Sequence, residues 1–202
     1  IFITKSYSLT ELAANLDPKI AEQNRQIVQQ KEAYETQIVV EEEEKDKTPE
    51  QLVVESWERI KVIPDYQQIA GKLLFRRIFE INPDAAELFQ FAQGYSAGDD
   101  EMYRKMLFEK HSTEVISTVT AAVSLLKQKD METLVSMLKE FCGRHVDIDL
   151  QQSHYNLVGE ALIYTLGEAL SEYFTSKVKD AWVGVYGIIT EQMMAGEKEM
   201  SE

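Results

Sequence analysis

Residues 107–127 read LFEKHSTEVISTVTAAVSLLK. Within them Phe108, His111, Val115, Val119, Ala122 and Leu126 recur at steps of 3, 4, 4, 3 and 4. That spacing marks one face of an α-helix, and a histidine stands inside the apolar stripe. The next segment repeats the pattern: Met131, Leu134, Leu138, Phe141 and His145 fall at steps of 3, 4, 3 and 4. Two successive amphipathic helices therefore each carry a core-facing histidine. Further stripes flank them. Tyr155, Val158, Leu162 and Leu166 form one, and Val178, Trp182, Val185 and Ile189 form the last. Upstream, Thr48-Pro49-Glu50-Gln51 carries an N-cap, a first-turn proline and a residue able to close a capping box. Val53, Trp57 and Ile60 follow at helical spacing and Pro64 ends the helix. A second helix is expected from about Asp65 to Ile81 with Ile69, Leu73, Phe75, Ile78 and Phe79 inward. Asn82-Pro83 predicts a short capped helix ending in Leu88, Phe89 and Phe91, then a polar loop from Gly94 to Asp100 and a long helix from about Asp100 to Lys127. Six to eight helices and no alternating strand pattern define an all-α fold.

Composition agrees. The chain has 202 residues, with 21 Lys+Arg against 35 Asp+Glu and a net charge of −14. Such a balance repels phosphate backbones and anionic lipid, which argues against nucleic acid as a partner. The longest run without charge or histidine, Val115 to Leu126, is too short to span a bilayer, so no transmembrane segment is expected. One cysteine, Cys142, excludes an intrachain disulfide and multi-cysteine zinc sites. No basic-then-apolar leader opens the sequence, and the expected location is cytoplasmic. Residues 1–47 differ from the rest. They are polar helix formers with a thin heptad (Ile20, Ile27, Tyr34) and end in the run Glu41–Glu44. They read as a marginal surface helix followed by a solvated acidic tether. The expected organisation is an extension over 1–47, one domain over 48–196 and a polar tail over 197–202.

Neutral imidazole binds iron well. Two core-facing histidines on successive helices suit a ligand gripped from both sides, and a planar metal macrocycle with two axial imidazoles fits that geometry. A core-facing histidine also serves as a satisfied structural residue. His145, near a helix C-terminus, gains about 0.3–1 kcal/mol from the macrodipole alone. Spacing leaves both readings open. His154 belongs to no stripe and reads as surface.

In order and at matching separations, several stretches resemble the globin family, over about Thr48 to Ala195. Trp57 is similar to the tryptophan of the family's first helix. Asn82-Pro83 with Leu88-Phe89-Gln90-Phe91 resembles its C helix and CD corner. Lys110-His111-Ser112-Thr113-Glu114-Val115 resembles its distal stretch, and Leu138 to His145 its proximal helix. Ser153-His154-Tyr155-Asn156-Leu157-Val158-Gly159 resembles the start of the G helix, and Ala181-Trp182 with Tyr186-Gly187 the last helix. The phrase Leu157 to Leu162 is most similar to the neuroglobin-like branch.

The resemblance implies a globin fold around one haem b, with His145 as proximal iron ligand and His111 as distal histidine and possible sixth ligand. It places Phe75, Phe89, Val115, Phe141, Leu150, Tyr155 and Val158 against the cofactor. It implies reversible binding of O2, CO and NO for storage, transport or sensing. A hydrogen bond from His111 to a bound gas contributes roughly 1–2 kcal/mol, about tenfold in affinity. Two alternatives remain: a haem enzyme acting as NO dioxygenase or nitrite reductase with a reductase partner, and a haem-free interaction module. A six-coordinate bis-histidine resting iron is favoured over five-coordinate iron.

Overall fold

The computed structural model describes residues 18–96, 99–143 and 151–201. These contain seven α-helices: α1 (Pro18–Glu43), α2 (Pro49–Lys61), α3 (Tyr66–Ile81), α4 (Met106–Gln128), α5 (Met131–Gly143), α6 (Gln152–Leu170) and α7 (Ser176–Ser201). Short 3-10 turns sit at Pro83–Leu88, Gln90–Ala92, Met102–Arg104 and Ser171–Tyr173. Among the described residues there is no strand, and no helix is long and apolar enough to cross a membrane.

The start of α2 follows its sequence closely. The Gln51 backbone N–H donates to Thr48 Oγ1 at 3.3 Å, and the Thr48 N–H donates to Gln51 Oε1 at 2.8 Å. Pro49 occupies the first turn, where its missing N–H costs nothing. Val53, Trp57 and Ile60 are buried as the spacing predicts.

Three expectations needed correction. In α3 the inward set is Ala70, Gly71, Leu74, Phe75, Ile78 and Phe79; Ile69 is exposed and Leu73 only half-buried. The apolar run Leu73-Leu74-Phe75 leaves the helical phase ambiguous, and packing against α4 and α6 decides it. The segment after Asn82 is a 3-10 turn rather than a capped α-helix. Asn82 is extended and its side chain makes no cap bond, as expected of a residue before proline. Finally, α4 begins at Met106. Lys105 is extended, and the preceding turn is pinned by Met102 and Tyr103, both buried.

The crossing of α3 and α4 is close because residue 71 is glycine. A Cβ there would meet Ser112 Cβ and its backbone oxygen at 2.9 Å. The backbone of α4 cannot yield to it. Gly71→Ala is therefore expected to lower stability by about 1–3 kcal/mol despite the better helix propensity of alanine. Urea unfolding measures this; an unchanged midpoint would mean that the helices separate freely.

The extension departs from the tether reading at Glu44, the last residue of its acidic run. Over its 26 residues α1 buries only Val40, and Ile20, Ile27 and Tyr34 are exposed, as expected of a surface helix. Glu44 is not solvated. It is 5% exposed, and its carboxylate accepts from Thr175 Oγ1 at 2.6 Å. Thr175 in turn accepts from the Val178 N–H at 3.2 Å, so the carboxylate sits by the first turn of α7, where negative charge is favoured. Lys177 Nζ donates to the Glu44 and Lys45 carbonyls at 3.3 Å. A chain beginning at Thr48 is expected to be about 1–3 kcal/mol less stable than one beginning at Val40, because the buried Thr175 hydroxyl loses a charged partner. Equal melting of the two would show that this contact contributes nothing.

The buried apolar residues form two clusters. The larger joins α2, α3, α4, α6 and α7 through Val53, Trp57, Leu74, Phe75, Ile116, Leu162 and Trp182. The smaller gathers Ala122, Leu134, Leu138, Tyr155 and Met193.

Candidate functional site

A cavity of about 220 Å³ lies between the two clusters and is lined by members of both. Close packing is the rule in protein interiors, so an apolar void of this size that divides a core is a site for a ligand. Helix α4 supplies one wall through His111, Val115, Val119 and Ala122. Helix α5 supplies another through Leu134, Leu138 and Phe141. Tyr155, Val158 and Leu162 come from α6, and Trp182, Val185, Ile189 and Met193 from α7.

Phe108 is packed core, and from His111 to Leu126 the stripe read in residues 107–127 is thus the cavity wall. Its neighbours Ser112 and Ile116, one position on, are the fully packed side of α4. Val115 and Val119 are half-buried because they border the void. Seven of the nine expected site residues meet here: Phe75, Phe89, His111, Val115, Phe141, Tyr155 and Val158. His145 and Leu150 lie outside the described residues; α5 is described as far as Gly143, just before that stretch.

The His111 imidazole is set among phenylalanines. Ring centroids lie 5.4 Å away for Phe75, 5.6 Å for Phe89 and 5.8 Å for Phe91. Phe75 and Phe89 meet edge to face at 5.3 Å, which fixes both rings beside the imidazole. Glu114, the acidic neighbour one turn on, faces out and lies 3.9 Å from Lys110. Three phenylalanine rings thus border the imidazole, and the Glu114 carboxylate is paired with Lys110.

Tyr186 also lines the cavity and packs against α6. Its hydroxyl donates to the Tyr155 carbonyl at 2.8 Å, and burial raises the phenol well above its usual range. Gly159 makes this approach possible: a Cβ there would stand 2.5 Å from Tyr186 Cε1. Gly159→Ala is expected to displace Tyr186 and cost about 1–3 kcal/mol. Thermal melting tests it, and a wild-type melting point would show that Tyr186 swings aside without penalty.

Sequence reading missed one histidine at the site. His154 is half-buried, borders the cavity and is not plain surface. Its Nδ1 accepts the Gln151 N–H at 2.9 Å and closes the cap of α6. In the neutral ring the proton then sits on Nε2. No apolar periodicity announces such a residue, because a capping turn positions it. Trp182 was legible as part of a stripe, but not as cavity wall. A second, larger groove lies near Glu50, Glu55, Glu58, Arg59 and Lys127; it is open and charged, and it holds none of the expected residues.

The family model described as Globin matches residues 72–193. Neuroglobin of Danio rerio is 32% identical over 156 residues, covering 76% of this chain and 91% of that protein. Neuroglobin of Chaenocephalus aceratus is 29% identical over 155 residues with the same two coverages. Among solved structures, a hexacoordinated heme protein from an anhydrobiotic tardigrade aligns with a TM-score of 0.65 at 20% identity, over 76% of this chain and 96% of that one. That last likeness concerns the fold. With the helix order, the divided core and His111 in the cavity wall, these matches lead to one conclusion: the chain belongs to the globin family, and within it to the neuroglobin-like type.

Proposed function

We propose that the chain binds one haem b noncovalently in this cavity and uses it for reversible binding of O2, CO and NO. The observation that carries the reading is the void dividing the core, with the His111 imidazole in one wall and mostly apolar side chains over the rest. The donor set fits an iron macrocycle. Neutral imidazole suits iron, and aromatic and aliphatic walls suit the faces of a porphyrin. His145 would hold the iron on the proximal side and His111 would face it on the distal side. Phe75, Phe89 and Val115 would keep the distal space dry. Phe141, Leu150, Tyr155 and Val158 would pack on the cofactor's other face and edges. When bound, the haem supplies an iron coordination position for a diatomic ligand.

The chain's own contribution is orientation and exclusion of water. The phenylalanines around His111 hold its ring at the cavity, and Glu114 lies 3.9 Å from Lys110. One cysteine precludes a Cys-x-x-Cys-His attachment, so the haem is held without covalent bonds. We place the haem-holding unit at residues 48–196, with 1–47 not required for cofactor binding.

Titration of the purified chain with haem, followed by absorption, is the direct test. The expected result is saturation at one equivalent, a shifted and sharpened band, and full removal of haem by acid–ketone extraction. No spectral change on titration, or a haem–peptide adduct after extraction, would overturn the proposal.

A further inference from the structure

Helix α1 touches the rest of the molecule along one narrow side. Between Glu22 and Glu44 only Thr36, Val40 and Glu44, at steps of four, lose much of their surface. The opposite side is apolar and uncovered. Ile20, Ile27, Tyr34 and Ile38 are 47–64% exposed, and Val28 and Val39 flank them. At 3.6 residues per turn those four lie within about 40° of one another, and Ile38 stands about 200° round the helix from Val40. The stripe therefore points away from the domain. Asn24 and Lys31 fill the positions between, which completes a heptad seam. With Ile, Val and Thr spread along it, such a helix draws little from intrinsic propensity and depends on packing its apolar face.

We propose that α1 pairs with α1 of a second copy as an antiparallel coiled coil, which makes the chain a homodimer. Charge selects both the occupant and the direction. Residues 18–31 carry Lys19, Arg25 and Lys31 against a single carboxylate, Glu22. Residues 32–43 carry five glutamates and no lysine or arginine. Local pairs engage Glu22 with Arg25 and Glu35 with Lys31, and the rest of the acidic half keeps a large negative excess. Each half of the helix is thus complementary to the other half of an identical helix. Parallel pairing would set acidic half against acidic half, and Lys31 against Lys31 in the seam. Antiparallel pairing sets each basic half against an acidic one, and it opposes the two helix dipoles.

The seam closes in one register, centred on Gln29. Ile20 then faces Ile38 of the second copy, Asn24 faces Tyr34, and Ile27 faces Lys31. Lys31 lays its methylene stem along Ile27 and turns its ammonium outward. The Asn24 amide and the Tyr34 hydroxyl give each other a polar partner, and the two Val28 side chains meet on the flank. In this register the two Val40 residues lie about 33 Å apart along the pair, at 1.5 Å per residue. The two domains therefore sit at opposite ends and do not collide. Pairing uses no residue of the cavity, so it is independent of the haem reading.

Sedimentation equilibrium of the full chain over a dilution series is the test. The expected result is a monomer–dimer equilibrium that reaches twice the 23.2 kDa mass of one chain. Ile27→Lys sets a second lysine against Lys31 and should weaken the dimer at least about 10-fold, because like charges facing each other across an interface repel. Ile20→Lys and Ile38→Glu should each weaken it as well. An equimolar mixture of those two variants should recover the dimer, since the changed positions face each other only in the antiparallel pair. All three positions are exposed and lie outside residues 48–196, so haem titration and melting of each variant should match the wild type. A one-chain mass at every concentration would overturn the proposal. A dimer that Ile27→Lys leaves intact forms through another surface and would overturn it too. A mixture no better than its separate variants would remove the antiparallel pairing.

Discussion

Replacement of His145 by alanine is expected to lower haem affinity more than about 100-fold, since even outer-shell changes at metal sites cost 10–100-fold. The argument runs through what else is available to the iron. His111 stands in the cavity wall among phenylalanines and would be left as the sole strong ligand. His154 borders the same cavity, but its Nδ1 accepts the Gln151 N–H, which places the ring proton on the nitrogen that would have to coordinate. Neither replaces a proximal imidazole. Haem transfer from the variant to an excess of an apo-acceptor protein should be correspondingly fast, and added imidazole should slow it by refilling the vacant position. Wild-type retention and an unchanged spectrum would remove His145 from the site and transfer the proximal role to another residue.

His111→Leu is expected to change the ferrous spectrum under argon and to accelerate CO binding by roughly 30-fold. We propose that the resting iron is held by both histidines. The surroundings of His111 favour that state: Phe75, Phe89 and Phe91 ring it, and the Glu114 carboxylate faces Lys110 outside. An entering gas must then displace the imidazole, and its apparent affinity falls by the open fraction. A preference of about 2 kcal/mol for the closed form leaves roughly 3% open, which sets the expected acceleration. In the wild type, sharp and split visible bands signal low-spin iron; in the variant one broad band should replace them. If the wild type already shows the broad band, and CO binding in the variant is unchanged or slower, His111 does not bind the iron.

Sequence alone determined the elements that depend on local physics. The capping box at Thr48 and Gln51 needs only residues three apart, so its chemistry is complete in the string. The helical stripes of α4, α5, α6 and α7 are likewise periodicities within one segment. The histidine inside the α4 stripe was legible for that reason, and seven of the expected site residues meet in one cavity. Tertiary structure decided what depends on a partner distant in sequence. Which residues of the run Leu73-Leu74-Phe75 face inward follows from the approach of α3 to α4 and α6, which a continuous apolar run cannot encode. The Glu44 carboxylate is buried because Thr175, far along the chain, caps α7 beside it; its local context is an acidic run, which by itself predicts solvent. Whether an apolar stripe is packed core or cavity wall is also settled only in three dimensions. His111, Val115 and Val119 share the spacing of any core face, and the void they border exists because the helices opposite them do not close upon it.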